Sequence, residues 1–161
     1  MKKLHFVALA LTMLSCTALA DDSGLFYAAG GVSKGGANLS LGAGTNVDVL
    51  EISSIDLGSV SGNSSAKFTG LSLVQYSTPA NNFNLLFRVG FGKTTTSFTD
   101  GASATRVGFG NGVIFGVGGQ YRLARHFALR GEVNRISYAT SEDGRSSKLS
   151  YPATLSALYI F

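Results

Sequence analysis

Cysteine, proline, histidine and charge are all scarce in this chain, and each scarcity removes a class of answer. The single cysteine among 161 residues, Cys16, excludes an intramolecular disulfide. Only 14% of residues are charged, and no cluster of Lys and Arg interleaves with aromatics, so there is no nucleic-acid footprint. Beyond the N-terminal stretch the one histidine is His126, which has no second His or Cys to make a zinc set. No helical periodicity of useful length follows Asp21. Proline appears only at Pro79 and Pro152, so long strands can run uninterrupted between polar breaks.

The first 20 residues have the layout of a secretory signal peptide. Lys2 and Lys3 form the positive start, Leu4 to Leu14 the apolar stretch, and Ala18-Leu19-Ala20 a small-x-small cleavage site before Asp21. The apolar run is too short to cross a bilayer as a helix. Leu14-Ser15-Cys16 faintly resembles a lipoprotein processing box, but the site at Ala18 and Ala20 is better formed, and Cys16 is expected to leave with the leader. Removing Lys2 and Lys3 leaves 11 basic residues against 9 acidic ones, a mature charge of about +2. Residues 21–161 then form one domain.

What the chain does have is alternation. From Val107 to Leu123 the odd positions are nearly all apolar, among them Phe109, Val113, Phe115, Val117 and Tyr121. The even ones are Gly108, Gly110, Gly112, Gly116, Gly118, Gln120 and Arg122, with Ile114 the exception. A period of two makes a strand with two unlike faces. The rhythm resumes after Ala124-Arg125-His126 with Phe127, Leu129 and Val133 against Ala128, Arg130, Glu132 and Asn134. A hairpin with a three-residue loop keeps both patterns in phase. It sets Leu123 opposite Phe127, Tyr121 opposite Leu129, Gln120 opposite Arg130 and Gly118 opposite Glu132. A soluble barrel would close its apolar face inward beneath a coat of Lys and Glu. Here the glycine-and-charge face suits a narrow interior and the apolar face suits lipid.

The same plan repeats along the chain. Leu25 to Val32 is a first strand, a weak second lies within Ala37 to Ala43, and Val47 to Leu57 is a third. The phase of the third shifts between Val49 and Leu50, which a bulge or a shifted register would reconcile. Lys67 to Ser77 is a fourth strand. In the fifth, Phe83, Leu85, Phe87, Val89 and Phe91 oppose Asn84, Arg88, Gly90 and Gly92, with Leu86 an apolar intruder. The hairpin supplies two more strands, and Leu149 to Phe161 the last. Short breaks at Thr78 to Asn82 and Ala124 to His126 alternate with longer ones at Gly58 to Ala66, Thr99 to Arg106 and Thr140 to Lys148, the asymmetry of a membrane barrel. Eight strands of about 10 residues fit the 141 residues after position 20, and sixteen would not. The fold class read from the sequence is therefore all-β: an eight-stranded antiparallel up-and-down transmembrane β-barrel preceded by a cleaved signal peptide. Ile136 and Tyr138 put apolar groups on the even face, which predicts a bulge near Asn134 and Arg135 or an aromatic rim.

The last strand alternates Leu149, Tyr151, Ala153, Leu155, Ala157, Tyr159 and Phe161 on one face. Its ending resembles the signal read by the bacterial barrel-assembly machinery: Thr154, Tyr159 and Phe161 match, and Ser156 stands where glycine is usual. From Val47 onward the chain resembles the OmpA-like and OmpX-like eight-stranded outer-membrane barrels. LEISSIDLG (50–58), FNLLFRVGFG (83–92), FGVGGQYRLARHFALRGEVNRISY (115–138) and the Phe ending carry the likeness. The resemblance implies a monomer in the bacterial outer membrane, delivered by periplasmic chaperones to the assembly machinery and surrounded by outer-membrane lipid and lipopolysaccharide. Larger members add a peptidoglycan-binding domain, which this chain, ending at the barrel, is not expected to have.

Arg88, Gln120, Arg122, Arg130 and Glu132 fall on the expected inner face. They could form a conduction path or an acid–base pair, but eight strands leave room only for packed side chains, so the charges are expected to pair and fill the lumen. Glu132 is expected to bond Arg130 or Arg88. Some small outer-membrane barrels are lipid A deacylases that need Ser, His and an acid near the outer leaflet. His126 lies in a tight turn expected at the opposite end, so catalysis is not expected, nor any cofactor or metal. Gly-x-Gly patterns such as Gly108 and Gly110 lie within a strand and open no helix, so they do not make a phosphate loop. The functional expectation is a structural or surface-interaction protein with a filled lumen, the alternatives being a narrow passive channel and, less favoured, a lipid A-modifying enzyme.

Overall fold

Alternation becomes architecture once each strand finds two neighbours. The structure, a computed structural model, describes residues 24–61, 64–77, 82–99, 105–139 and 147–161. The proposed leader with Cys16, Ala18 and Ala20 lies outside the described residues. In chain order the strands are β1 (Gly24–Ser33), β2 (Gly36–Thr45), β3 (Asp48–Ser61), β4 (Ser64–Tyr76), β5 (Phe83–Thr99), β6 (Thr105–Ala124), β7 (Phe127–Ala139), β8 (Ser147–Ser150) and β9 (Ala153–Ile160). From β1 to β8 each strand pairs antiparallel with the next, β9 also pairs with β7, and β1 pairs with β9, closing the sheet. Closure satisfies every edge, the only way a sheet can stand in hydrocarbon.

β8 and β9 are two halves of one barrel strand, since both pair with β7. Ser150 faces Ile136 and Ala153 faces Val133, so the register is kept across the gap at Tyr151-Pro152. The Asn134 N–H still donates to the Pro152 carbonyl at 3.0 Å. Proline has no N–H to return the bond, and this is what interrupts the last strand that the sequence pattern reads as continuous. The barrel thus has eight strands. Following the cross-strand partners from Tyr27 once around the wall leads to Ser150, ten residues from Ile160, the partner of Tyr27 across the closing seam. A stagger of that size tilts the strands by roughly 35–45° and narrows the interior to side-chain width.

Several local expectations change. The second strand is a full ten residues rather than a weak run. β3 and β4 extend through the expected polar loop at 58–66, to Ser61 and from Ser64, because the ladder continues across two register shifts near Gly58 and Ser59. Gly58 has a φ of 74° and lies against Gly35; a Cβ on Gly35 would fall 1.9 Å from the Gly58 nitrogen. Only glycines allow the β1–β2 turn to meet β3 this closely. No bulge resolves the phase of β3, because the pairing is regular from Asp48 to Asp56. Instead Val49 and Ile55 point inward while Leu50 and Ile52 point outward.

In the central hairpin Tyr121 faces Leu129, Gln120 faces Arg130 and Gly118 faces Glu132. Nearer the turn the expectation fails: Ala124, not Leu123, faces Phe127, with a register shift after Arg122. The turn is therefore the pair Arg125-His126, and Leu123 is the extra residue of a bulge, which supplies added twist at the rim. The expected bulge near Asn134 and Arg135 does not form. Gly116 to Asn134 and Ile114 to Ile136 stay in register, and Ile136 and Tyr138 are buried inside. An apolar inward residue is no anomaly in this lumen, where apolar groups pack at both ends.

Candidate functional site

Burial is inverted relative to a soluble protein. Phe91 is 69% exposed and Phe115 52% on the outer wall, while Glu51 is 0% and Arg130 2% exposed inside. An outer face of Leu41, Leu50, Leu73, Phe87, Val89, Val117, Val133 and Leu155 can be stable only against an apolar medium. At the end of the barrel that carries the β6–β7 turn, Phe127, Tyr159 and Phe161 pack edge-on with ring centroids 5.0–5.3 Å apart, and Phe26 lies 5.0 Å from Phe161. Rings of this kind belong at a membrane–water boundary.

The lumen is filled in three layers. Nearest the β6–β7 turn lies an apolar group that includes Val49, Val74, Leu86, Ala128 and Leu158, with the rings of Tyr27 and Tyr76. Tyr27 fits because its ring lies over Gly42; a Cβ there would sit 2.3 Å from the ring's Cζ. At the opposite end Ile55, Leu57, Ala66, Phe68, Ile114, Ile136 and Tyr138 form a second apolar group. Leu86, Ile114, Ile136 and Tyr138, irregular in a polar-inside pattern, are thus the material of these two plugs. The interior is not simply a glycine-and-charge face.

Between the plugs sits a charged quartet. Arg88 Nη2 lies 2.7 Å from Glu51 Oε1 and 3.0 Å from Glu132 Oε1. Arg130 Nη1 lies 2.6 Å from Glu51 Oε2 and 3.4 Å from Glu132 Oε1. Two guanidinium groups and two carboxylates therefore alternate in a closed ring of zero net charge. Neutral groups meet several of the remaining valences, while Arg88 Nε and Asn134 Oδ1 are buried without a hydrogen-bond partner. Arg88 donates to Ser53 at 3.3 Å, Asn134 Nδ2 donates to Glu132 at 3.4 Å, and Gln120 Oε1 accepts from Tyr76 at 3.1 Å and from Arg130 at 3.2 and 3.3 Å. Arg130 also donates to the Tyr76 hydroxyl, and Tyr27 donates to Glu51. The Arg130 guanidinium stands 4.7 Å from the Tyr27 ring centroid, within cation–π range.

Of the residues expected to form this network, Arg88, Gln120, Arg130 and Glu132 meet in it. Arg122 does not. It is exposed and lines the mouth of the barrel with Asn46, Asn82 and Asn84, because it precedes the Leu123 bulge at the rim, beyond reach of the quartet. Glu51, Tyr27, Tyr76 and Asn134 complete the network and are not in the sequence-derived set. The signal for Glu51 was present: it lies between Leu50 and Ile52, both outward. The apolar residues on both sides of the phase shift, Val49 and Leu50, left the inward face of this strand undecided and hid it. Thr154 faces the lumen, while Tyr159 and Phe161 face outward. His126 Nδ1 lies 2.8 Å from the Ile160 carbonyl and its ring stacks on Tyr159 at 6.0 Å. The imidazole is engaged in fastening the β6–β7 turn to β9.

These features define a class: the chain has the fold of the eight-stranded outer-membrane β-barrels. No protein-family model matches the sequence, and no curated protein matches it. Among solved structures it is similar to the N-terminal β-barrel domain of Pseudomonas aeruginosa OprF, with a TM-score of 0.61 and 15% identity over 86% of this chain and 97% of that one. Neisserial surface protein A gives a TM-score of 0.61 and 12% identity over 86% and 96%. Ail of Yersinia pestis gives 0.52 and 15% over 86% and 95%.

Proposed function

We propose that this protein is a small integral protein of the bacterial outer membrane with a sealed lumen and a structural or surface-interaction role. The observation that carries the reading is the pairing of an apolar outer wall with an interior closed in three layers. A conducting pore needs a continuous wet path, and here a neutralised ion ring is capped on both sides by apolar groups. Residues 1–20 act as a signal peptide cut after Ala20. The β6–β7 turn faces the periplasm, and Thr154, Tyr159 and Phe161 present the last strand to the assembly machinery after delivery by periplasmic chaperones. The mature protein is a monomer among outer-membrane lipid and lipopolysaccharide, and it is not an enzyme. Surface interaction has a precedent in this fold, since Ail has been crystallised with the heparin analogue sucrose octasulfate.

Gel mobility of unboiled and boiled samples tests the membrane reading: the folded barrel runs as a distinct SDS-resistant species until heated. Absence of a shift, with recovery from the soluble fraction, would overturn it. Planar-bilayer recording tests the sealed lumen, which predicts no unitary conductance; discrete steps would favour a narrow channel instead.

A further inference from the structure

The outer wall is not uniform. Between Phe87 and Phe115 on one side and Tyr151 on the other runs a groove of about 500 Å³, floored by Val117 and Val133 and bounded at one end by Arg135. Its size falls within the range of about 300–1,000 Å³ typical of small-molecule sites. Arg88, Gly116 and Asn134 also border it. The side chains of Arg88 and Asn134 are held in the lumen, so these two contribute backbone. The groove exists because the last strand breaks at Tyr151-Pro152, beside Arg135, and because Ala153, facing Val133, covers little of the wall.

Arg135 is the unusual element. It points outward, opposite Phe115, and is exposed. Among the described residues no acid pairs with it. A cation on a lipid-facing strand is tolerated only near the headgroups. Arg135 therefore marks the polar edge of the apolar belt, and on β5 the outward series likewise ends in a cation, with Lys93 following Phe91. From that edge the groove descends along Val133 and Val117 to Phe87, toward the middle of the belt.

We propose that this groove binds one outer-leaflet lipid bearing a phosphate, with an acyl chain lying along Phe87, Phe115, Val117 and Val133 and the phosphate held by Arg135 beside the Tyr151 hydroxyl. The geometry fits a bipartite ligand: a guanidinium offers paired donors to phosphate oxygens, and the groove floor offers only apolar contact. The inference rests on the membrane reading above.

Native mass spectrometry of the barrel released from neutral detergent micelles doped with diphosphoryl lipid A, or with diacylglycerol, tests it. One retained diphosphoryl lipid A per barrel is expected, with diacylglycerol retained far less. Arg135→Gln should lower lipid A retention by roughly tenfold, the loss of one charge-assisted contact. Val133→Trp, which fills the groove, should lower it comparably, whereas Leu41→Trp elsewhere on the wall should not. Equal retention by wild type, Arg135→Gln and Val133→Trp, or equal retention of both lipids, would overturn the proposal. Each variant is first checked for the heat-dependent gel shift. Loss of that shift in the wild type defeats the membrane reading, whereas a normal shift with unselective lipid retention defeats the groove alone. If Val133→Trp does not fold, Arg135→Gln decides the outcome.

Discussion

The two faces of the same strands treat charge in opposite ways. Inward, β7 carries Arg130 and Glu132 at full burial; outward, the same strand carries Leu129 and Val133 and admits a cation only at Arg135. Depth alone does not explain this, since the buried face is the charged one. What differs is the company available. Inside, four charges from β3, β5 and β7 converge and neutralise one another. Outside, a charge would meet only hydrocarbon.

The largest break in that comparison comes from removing one member of the ring. Arg130→Ala leaves Glu51 and Glu132 sharing Arg88, and loss of one partner of a buried pair costs about 3–5 kcal/mol. Denaturant unfolding of barrels folded into lipid vesicles should show this as a lowered midpoint. Next comes a charge in the wrong place: Val89→Arg, in mid-belt on β5, should cost about 2–4 kcal/mol in the same measurement, and more than the same change in detergent, where the medium can deform. Smallest is Arg122→Gln. If exposure at the mouth makes this arginine independent of the ring, its midpoint should match wild type within about 0.5 kcal/mol. A loss near that of Arg130→Ala would show that the mouth and the ring are one network.

Glycine makes the inward face possible. Gly116 lies between Arg88 on β5 and Asn134 on β7, and a Cβ there would sit 2.2 Å from Asn134 Oδ1 and 3.3 Å from the Arg88 Cβ. Gly118 faces Glu132 in the same manner. The small residues are the spaces into which the long charged ones fold, which is why glycine and charge share one register in the sequence.

That register, and the fold class with it, is legible in the sequence because a period of two needs no partner to be read. The outward series Phe83 to Phe91 and the pairing of Gln120 with Arg130 follow from it, whereas the count of eight strands needed the chain length as well, because the second run is weak. Loop boundaries were less legible, because Ser- and Gly-rich stretches such as 58–61 and 64–66 serve as ladder once the neighbouring strand is present. The apolar plugs were least legible. Ile114, Ile136 and Tyr138 look like phase errors along one strand and become a packed layer only when β3, β4, β6 and β7 curve around them.

By itself, then, the sequence determined which residues share a face, since alternation is a local property of an extended chain. Only the tertiary structure decided what that face meets. Closure with a stagger of ten residues brings Glu51 within reach of an arginine 37 positions away and another 79 away, and it leaves Arg122, only eight residues from Arg130, outside the ring. The physical reason is that ion pairing depends on height and angle around the barrel, and those are set by the tilt of all eight strands together rather than by any one of them.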